Sequence, residues 1–225
     1  MIPTGSKDPF ALRRAGNGIV QIIADKKFEI SLHDLIDKAF HNLQTKLTEP
    51  DHNKDMVYDF LKQRVNWLLK QEKIDYDIIE SVMHIDHSNI PDLIHRAKAL
   101  RNFKQKEDFI KLVLGFKRVS NIIAEAKRFE EVNTKLFTED TEKLLYEKFL
   151  ILKNQINDLL PKKEYETVLE KLVNYGAVID KFFDDVLVNI EDNDLRRNRY
   201  NLLKKIRELF LKIADISRIV VEGEK

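Results

Sequence analysis

Residues 192–216 read DNDLRRNRYNLLKKIRELFLKIADI, and this stretch decides the fold. Asp192 and Asn193 suit the N-cap of a helix that follows them. Arg199 occupies a position in the helical stripe where an apolar residue is expected. The stretch therefore predicts a packed helix whose first turns present guanidinium groups. The apolar residues that define the stripe recur at spacings of three, four and seven and share one helical face; they are Leu195, Leu202, Ile206, Leu209, Ile213 and Ile216.

The composition of the whole chain favours an all-α protein. The 225 residues include only six glycines and five prolines, long segments have helical periodicity, and alternating β-type runs are scarce. This length allows one large domain or two small ones. Because the chain has no cysteine, disulfides, thiolate catalysis and zinc–thiolate sites are excluded. No apolar run reaches membrane-spanning length and no signal peptide is visible, so we expect no membrane segment.

The charged residues are numerous but balanced. The chain has 39 lysines and arginines against 38 aspartates and glutamates, which gives a formal net charge of +1. The net charge therefore does not indicate a nucleic-acid partner. Only a local cluster of basic residues can do so, because one face of a protein can bind phosphates while another face balances the charge.

Helical periodicity divides the chain into ten predicted helices. The first begins at Asp8-Pro9, where proline suits the first turn, and the second is capped by Ser31. The best candidate for a domain boundary lies near residues 85–105, so we expect two helical units, residues 1–100 and 101–225. After the helix that begins at Pro9 and the one that follows Ser31, the expected helices cover about residues 53–72, 76–83, 91–103, 107–123, 140–160, 165–175, 177–190 and 193–216.

One candidate binding cluster lies on the helix that begins near Glu107. At 100° per residue, Arg118 points away from the apolar stripe, while Lys117 and Asn121 share a flank. Lysine and arginine neutralise phosphates, and asparagine can pair with a base edge. The alternative interpretation is an ordinary solvated helix face.

A second candidate cluster begins the C-terminal helix. Arg196 and Arg199 are one helical turn apart, so they can act together on one anion. The alternative is that they form ion pairs with Asp184 and Asp185 on the preceding helix. Spacing alone does not decide between these two interpretations.

The sequence contains no recognisable catalytic centre. His84-Ile85-Asp86-His87 resembles a metal-binding pair, but no third ligand is implied. His33-Asp34 is a dipeptide of the kind found in metal phosphohydrolases, yet it directly follows Ser31, where a capping interaction explains it. The acidic pairs at 184–185 and 191–192 lack a neighbouring histidine or apolar pocket that would perturb them, and no glycine-rich phosphate loop is present. We therefore expect neither catalytic nor metal-binding residues.

Three stretches resemble one protein family. Residues 3–15, PTGSKDPFALRRA, contain a G-x-x-D-P-F-A-L-R-R-A run that is similar to a segment of the β subunit of the bacterial heterotetrameric glycyl-tRNA synthetase. Residues 117–122, KRVSNI, and residues 195–199, LRRNR, also match this family, the latter with the trailing pairs 209–210 and 214–217. The order and spacing of all three fit. The chain departs from the family pattern at residues 16–18 and at Asn189, where methionine is common.

The resemblance implies that the chain is similar to the C-terminal portion of a much longer β subunit. Its implied fold is all-α, with a helical body segment (residues 1–100) followed by an all-helical anticodon-binding domain (residues 101–225) like that of arginyl-tRNA synthetases. The implied partners are tRNA(Gly), the α subunit and the rest of the β subunit, in the cytoplasm and without a membrane. The chain would serve a glycine–tRNA ligase without being catalytic itself or holding a cofactor, because ATP and magnesium are used by the α subunit.

The resemblance also turns the two basic clusters into expected tRNA contacts. Arginines could bind phosphates or stack on bases of the anticodon loop, and asparagines could read base edges. Three rival interpretations stay open: a helical module that holds protein subunits together, a phosphohydrolase of the histidine–aspartate type, and an anticodon-binding domain of a different synthetase. The expected tRNA-binding residues are Arg118, Asn121, Arg196, Asn198 and Arg199.

Overall fold

The computed structural model describes residues 11–43, 50–124, 126 and 128–221. The described part contains helices and connecting segments and no strand, so the predicted all-α class is confirmed. The predicted start of the first helix at Asp8-Pro9 lies outside the described residues. Within the described residues, three short 3₁₀ turns occur at Thr134–Leu136, Leu160–Lys162 and Ile216–Arg218. The α-helices of the described part are α1 (Leu12–Asp25), α2 (Leu32–Leu43), α3 (Pro50–Gln71), α4 (Tyr76–Met83), α5 (Ile90–Phe103), α6 (Glu107–Ala124), α7 (Asp140–Leu159), α8 (Tyr165–Asp185) and α9 (Asn193–Phe210).

Two of the predicted helices are in fact one. The sequence predicted a break at Gly176 and a second helix that continued to residue 190, but α8 runs without interruption from Tyr165 to Asp185. Gly176 is buried where α8 packs on α6, and a Cβ atom there would lie 3.2 Å from the Leu112 side chain. The glycine thus permits a close helix–helix approach, and it does not end the helix.

The predicted helix caps are present where the structure describes them. The carboxylate of Asp192 accepts hydrogen bonds from the backbone N–H groups of Asp194 (2.9 Å) and Leu195 (3.0 Å). The Ser31 hydroxyl accepts from the N–H of His33 at 3.2 Å, at the start of α2. Each cap satisfies donors that have no partner within the helix and fixes where the helix begins.

The chain divides into two compact units, Met1–Lys98 and Ala99–Lys225, and the division falls within α5. In the first unit, α1 and α2 both pack on α3. The α1–α3 contact is close because Gly16 faces the ring of Phe60. The core of the first unit includes the fully buried side chains of Val20, Val65 and Leu69.

In the second unit, α6 packs against both α8 and α9, and α7 packs against α8. The rings of Phe116 on α6 and Phe210 on α9 meet with centroids 4.9 Å apart, and both side chains are buried. Burial of such a side chain stabilises a fold by about 1.5–3 kcal/mol. This core holds α9 in place, so that its first turns lie beside the segments that precede α7 and α9.

We expect Gly16→Ala to destabilise the first unit and Gly18→Ala to stabilise it. A Cβ at Gly16 would lie 2.7 Å from Cε1 of Phe60, whereas a Cβ at Gly18 has no atom within 4 Å. Overpacking costs about 1–3 kcal/mol, while alanine gains about 1 kcal/mol over glycine in a helix. Urea unfolding followed by the fluorescence of Trp67, on α3, measures both variants. Equal effects of the two substitutions would contradict the close α1–α3 packing.

Candidate nucleic-acid interface

The first turns of α9 line an open groove of about 630 Å³ in the second unit. Its other wall comes from the segment that follows α6 and from the loop between α8 and α9. Among the described lining residues, three arginines face one glutamate, so this lining is basic and suits a polyanion. The residues that line it are Ala126, Arg128, Glu130, Asn189, Asn193, Arg196, Arg197 and Tyr200.

Two buried asparagines of α9 hold the segment that carries Arg128. The Asn198 side chain accepts from the N–H of Asn133 (2.8 Å) and donates to its carbonyl oxygen (3.0 Å). One turn later, the Asn201 side chain accepts from the N–H of Glu130 at 2.9 Å. Both asparagines are 3% exposed. Since residues 128–133 have no regular secondary structure, these side-chain bonds satisfy the backbone groups that a helix or sheet would otherwise pair.

Arg199 lies inside the second unit as the centre of a buried polar cluster. Its Nε donates to Oε1 of Glu142 at 2.9 Å, Nη1 donates to the carbonyl oxygen of Leu187 at 2.8 Å, and Nη2 donates to the Thr138 hydroxyl at 3.0 Å. The Arg199 and Glu142 side chains are 5% and 1% exposed. The cluster thus joins α9, α7 and the two segments that precede them.

The carboxylate of Glu142 completes this cluster. Its second oxygen accepts from the backbone N–H groups of Thr138 and Glu139, both at 2.9 Å. Burial by itself raises the pKa of Glu142, but the hydrogen bonds from Arg199, Glu139 and Thr138 outweigh burial, so the pKa is lowered from its ordinary value. The pair is therefore ionised at neutral pH and charge-assisted on both sides.

Arg196 lies at the groove, and two of its N–H donors form hydrogen bonds within the protein. Its Nη1 donates to the carbonyl oxygen of Ile190 at 2.6 Å, and its Nη2 donates to Oδ1 of Asn193. A guanidinium has five N–H donors, so these two bonds orient the group and leave donors for a ligand in the groove. Arg197, its neighbour, faces Glu130 at 3.8 Å as an exposed ion pair.

Arg118 and Asn121 lie elsewhere in the second unit, on the part of α6 that faces α8. The Arg118 guanidinium lies 4.2 Å from the centroid of the Phe183 ring, and both Arg118 and Asn121 are exposed. Ser120, by contrast, faces α9, where its hydroxyl accepts from Arg207 at 3.4 Å. Arg118 and Ser120 are two positions apart in the sequence and therefore about 200° apart around the helix, so Arg118 points away from α9.

The structure thus separates the five residues that sequence analysis grouped together. It places Arg196 at the groove, Arg118 and Asn121 on another face, and Asn198 and Arg199 inside the unit as structural supports. A direct contact of each with RNA stays a prediction, and for the two buried residues the geometry favours a positioning role. The alternative that Arg196 and Arg199 pair with Asp184 and Asp185 is wrong for Arg199, whose partner is Glu142 on α7. The bonds of Arg196 described above go to Ile190 and Asn193 instead.

Sequence analysis missed several residues of the site. Arg128, Arg197, Tyr200 and Asn189 line the groove. Arg197 lies in the LRRNR motif and Asn189 marks a departure from the family pattern, but none of the four lies on an apolar stripe. The Tyr200 hydroxyl donates to Oδ1 of Asn189 at 2.7 Å, a bond that does not use the amide N–H groups of Asn189. The available signal was Arg199 itself, since a charged residue in an apolar stripe requires a buried partner.

The two histidine motifs form part of the first unit. The rings of His33 and Tyr58 stack with centroids 4.0 Å apart, and the His87 ring centroid lies 5.1 Å from that of Tyr58. Nδ1 of His87 bonds to the carbonyl oxygen of Met83 at 3.2 Å. Within the described residues, no group of three or more side chains is arranged to hold a metal ion. These contacts explain both motifs as packing and loop-fixing elements.

Two protein families match the chain. Residues 1–84 match the glycyl-tRNA synthetase β subunit family, and residues 112–219 match the DALR anticodon-binding domain. The groove, the buried cluster and all five predicted residues lie within the second match. Across the described residues, every helix is too short or too polar to cross a lipid bilayer.

Curated relatives cover almost the whole chain. Glycine–tRNA ligase β subunits from Haemophilus influenzae (strain PittGG), Clostridioides difficile (strain 630) and Natranaerobius thermophilus are 39%, 33% and 34% identical to it, over 96%, 97% and 96% of its length. The chain spans about a third of these relatives, 31%, 32% and 32% of their respective lengths.

We expect Glu142→Gln to destabilise the second unit by about 3 kcal/mol at pH 7, because removal of one partner leaves a buried charge uncompensated. Since the folded-state pKa of Glu142 is lowered, its contribution is present above the ordinary glutamate pKa and is lost as pH falls through the lowered value. The difference in the free energy of unfolding between the unsubstituted chain and the Glu142→Gln variant should therefore narrow below about pH 4.3. Urea unfolding followed by circular dichroism across pH measures this.

Asp140→Asn is the matched control. Asp140 pairs with Lys143 at 2.9 Å, also near the start of α7, but its side chain is 96% exposed. Because such an exposed pair is screened by solvent, we expect Asp140→Asn to change the stability very little. If both substitutions had the same small effect, the Arg199–Glu142 pair would not be the support that its geometry indicates.

Proposed function

Because the chain belongs to the glycyl-tRNA synthetase β-subunit family and corresponds to the C-terminal portion of its members, we propose that its second unit binds the anticodon arm of tRNA(Gly). In this proposal the chain supports the ATP-dependent glycylation of tRNA that the α subunit carries out in the cytoplasm. The chain itself holds no reacting group. The rest of the β subunit and the α subunit are its protein partners.

The observation that carries this proposal is the basic groove at the start of α9, within the part that matches an anticodon-binding domain. An anticodon loop presents unpaired bases that can be stacked and hydrogen-bonded on their edges, together with phosphates. The groove offers groups for each of these contacts. Tyr200 provides a ring, Asn189 provides amide donors, and Arg128, Arg196 and Arg197 provide positive charge.

The support under the groove favours binding with little rearrangement. The Arg199–Glu142 pair and the side-chain hydrogen bonds of Asn198 and Asn201 fix the segments that lie beside the first turns of α9. A site that is already formed loses less conformational entropy on binding than one that must be ordered. The Glu130–Arg197 pair is exposed, so a phosphate can replace the carboxylate at small cost.

We expect the whole chain to bind a tRNA(Gly) transcript more tightly than a transcript with an exchanged anticodon, with an affinity that falls steeply as salt is added. Arg128→Ala and Arg197→Ala should each weaken binding about five- to tenfold, or about 1–1.4 kcal/mol, with unchanged thermal unfolding. Fluorescence anisotropy with labelled transcripts measures these affinities. Arg101→Ala, on α5, is the control and should leave binding unchanged.

Failure to bind either transcript would contradict the proposal and favour the alternative, a helical module that holds subunits together without contacting RNA. Equal affinity for the two transcripts would show a general RNA-binding surface without anticodon recognition. Equal loss in all three arginine variants would show that net charge, and not the groove, determines the affinity.

The face of α6 that carries Arg118 needs a separate test. Arg118→Ala removes a guanidinium that lies on the Phe183 ring and is exposed. If RNA reaches this face, the variant loses affinity for tRNA(Gly) while its melting temperature stays nearly constant, as measured by anisotropy and circular dichroism. A lower melting temperature with intact affinity of the folded chain would assign Arg118 a structural role, through its cation–π contact.

A further inference from the structure

A second basic site lies between α7 and α9 of the second unit, in a cleft of about 110 Å³. Lys153 on α7, Lys205 on α9 and Lys212 just after α9 all line it, and Glu208 is its one acidic lining residue. The floor is apolar, because the side chains of Phe149 and Leu209 are buried there. Nothing in the groove described above involves these residues.

The lysines of this cleft are placed close together by the helix packing. Lys205 and Lys212 are seven residues apart and therefore share a flank. The Lys212 ammonium donates to Oδ1 of Asn157 at 2.7 Å, and Asn157 lies one turn after Lys153 on α7. Like charges gathered around one cleft repel each other. Such an arrangement costs stability in the free protein and is relieved when an anion binds.

The carboxylates near this cleft neutralise it only in part. Lys205 pairs with Glu131 at 2.7 Å, where the Glu131 side chain is 89% exposed. The hydrogen bond from Lys205 lowers the pKa of Glu131, with a smaller contribution in the same direction from Lys153. Glu208 is engaged by Lys204 at 3.5 Å. Exposed pairs of this kind are screened by solvent and contribute little to stability, so a phosphate can displace either carboxylate.

The cleft is connected to the groove along the outward side of α9. Arg197, Tyr200 and Lys204 are separated by three and four residues and follow one side of the helix. The ammonium of Lys204 lies 4.4 Å from the centroid of the Phe129 ring, which adds an aromatic surface between the two sites. Over its 18 residues, α9 is about 27 Å long, so the basic side can follow several nucleotides.

We propose that Lys153, Lys205 and Lys212 form a phosphate-binding track that holds the RNA backbone beyond the bases bound in the groove. The inference rests on the proposed tRNA-binding function and deepens it. Lysine is a flexible point charge that contacts phosphates without reading a sequence. The groove with Tyr200 and Asn189 then distinguishes bases, while the track adds affinity and fixes the orientation of the arm.

The test removes the three charges together in the variant Lys153→Gln/Lys205→Gln/Lys212→Gln. The matched control, Lys111→Gln/Lys148→Gln/Lys171→Gln, also removes three charges from helices of the second unit, outside both the groove and the track. The two variants have the same net charge, so a general electrostatic effect appears equally in both. Binding of tRNA(Gly) and of the anticodon-exchanged transcript is measured by anisotropy at several salt concentrations.

The track variant should lose about tenfold or more in affinity for both transcripts, with an unchanged ratio between them. The slope of log K against log salt should become shallower by about two, since each lost phosphate contact removes about 0.7–0.9 from it. The control should retain the slope of the unsubstituted chain. Circular dichroism checks that both variants are folded, and a track variant that does not fold is replaced by Lys153→Gln/Lys212→Gln, which leaves the Lys205–Glu131 pair intact.

Four results would overturn the inference. Equal slopes in the track and control variants would show that these lysines do not bind phosphates. A changed ratio between the two transcripts would show that they take part in base recognition. If the unsubstituted chain binds neither transcript, the proposed function fails and the track with it, whereas normal binding by the track variant overturns the track alone.

Discussion

The site depends on one buried ion pair, Arg199 with Glu142. A guanidinium in a protein interior requires a charged partner and further acceptors, because an unpaired buried charge costs several kcal/mol. Glu142, Leu187 and Thr138 supply them, and they come from three different parts of the chain. Satisfying one side chain therefore brings the start of α7, the start of the α8–α9 loop and the first turns of α9 to fixed positions. The groove is lined by the first turns of α9 and the α8–α9 loop, both of which this junction fixes.

The short run LRRNR shows how helical geometry assigns different roles to similar residues. Successive residues rotate by 100°, so Arg196 and Arg197 reach the groove while Asn198 and Arg199 turn inward. The inward pair shapes the site and the outward pair supplies its charge. A motif of this type can be characteristic of a family although only part of it faces the ligand.

The fold could be predicted from the sequence to a large extent because its signals are local. The apolar stripe of α9 and the caps at Ser31 and Asp192 depend on residues within one or two turns, and the caps lie where the pattern indicates. The predicted end of α9 at residue 216 was wrong, because the helix ends at Phe210, and Ile213 and Ile216 are buried in the segment that follows it. Gly176 was misread because its reason is a tertiary contact with Leu112 on α6. Propensity treats every glycine as a weak point and cannot distinguish a packing glycine from a helix end.

The site could be predicted far less well, since its contacts join distant segments. Arg199 and Glu142 are separated by 57 residues, and Asn198 reaches Asn133 across 65. From the sequence, Arg199, Glu142 and Asn198 are polar side chains in predicted helices. Asn133 lies outside the predicted helices, so these pairings appear only when the segments are packed. The same is true of Tyr200 and its bond to Asn189. The position of Arg199 in the apolar stripe indicated an inward side chain, but nothing in the sequence indicated which residue it meets.

The surroundings of the two basic clusters explain why α9 is the stronger candidate for RNA. Arg118 acts on Asp180, whose pKa is raised by burial and by Asp184, with Arg118 opposing the shift. The positive charge of Arg118 is thus partly offset by neighbouring carboxylates. In the part of the groove at α9 that the structure describes, three arginines stand against one glutamate. A nearly neutral chain can in this way concentrate positive potential on one side, and the local balance of charges, not the total, determines where a polyanion binds.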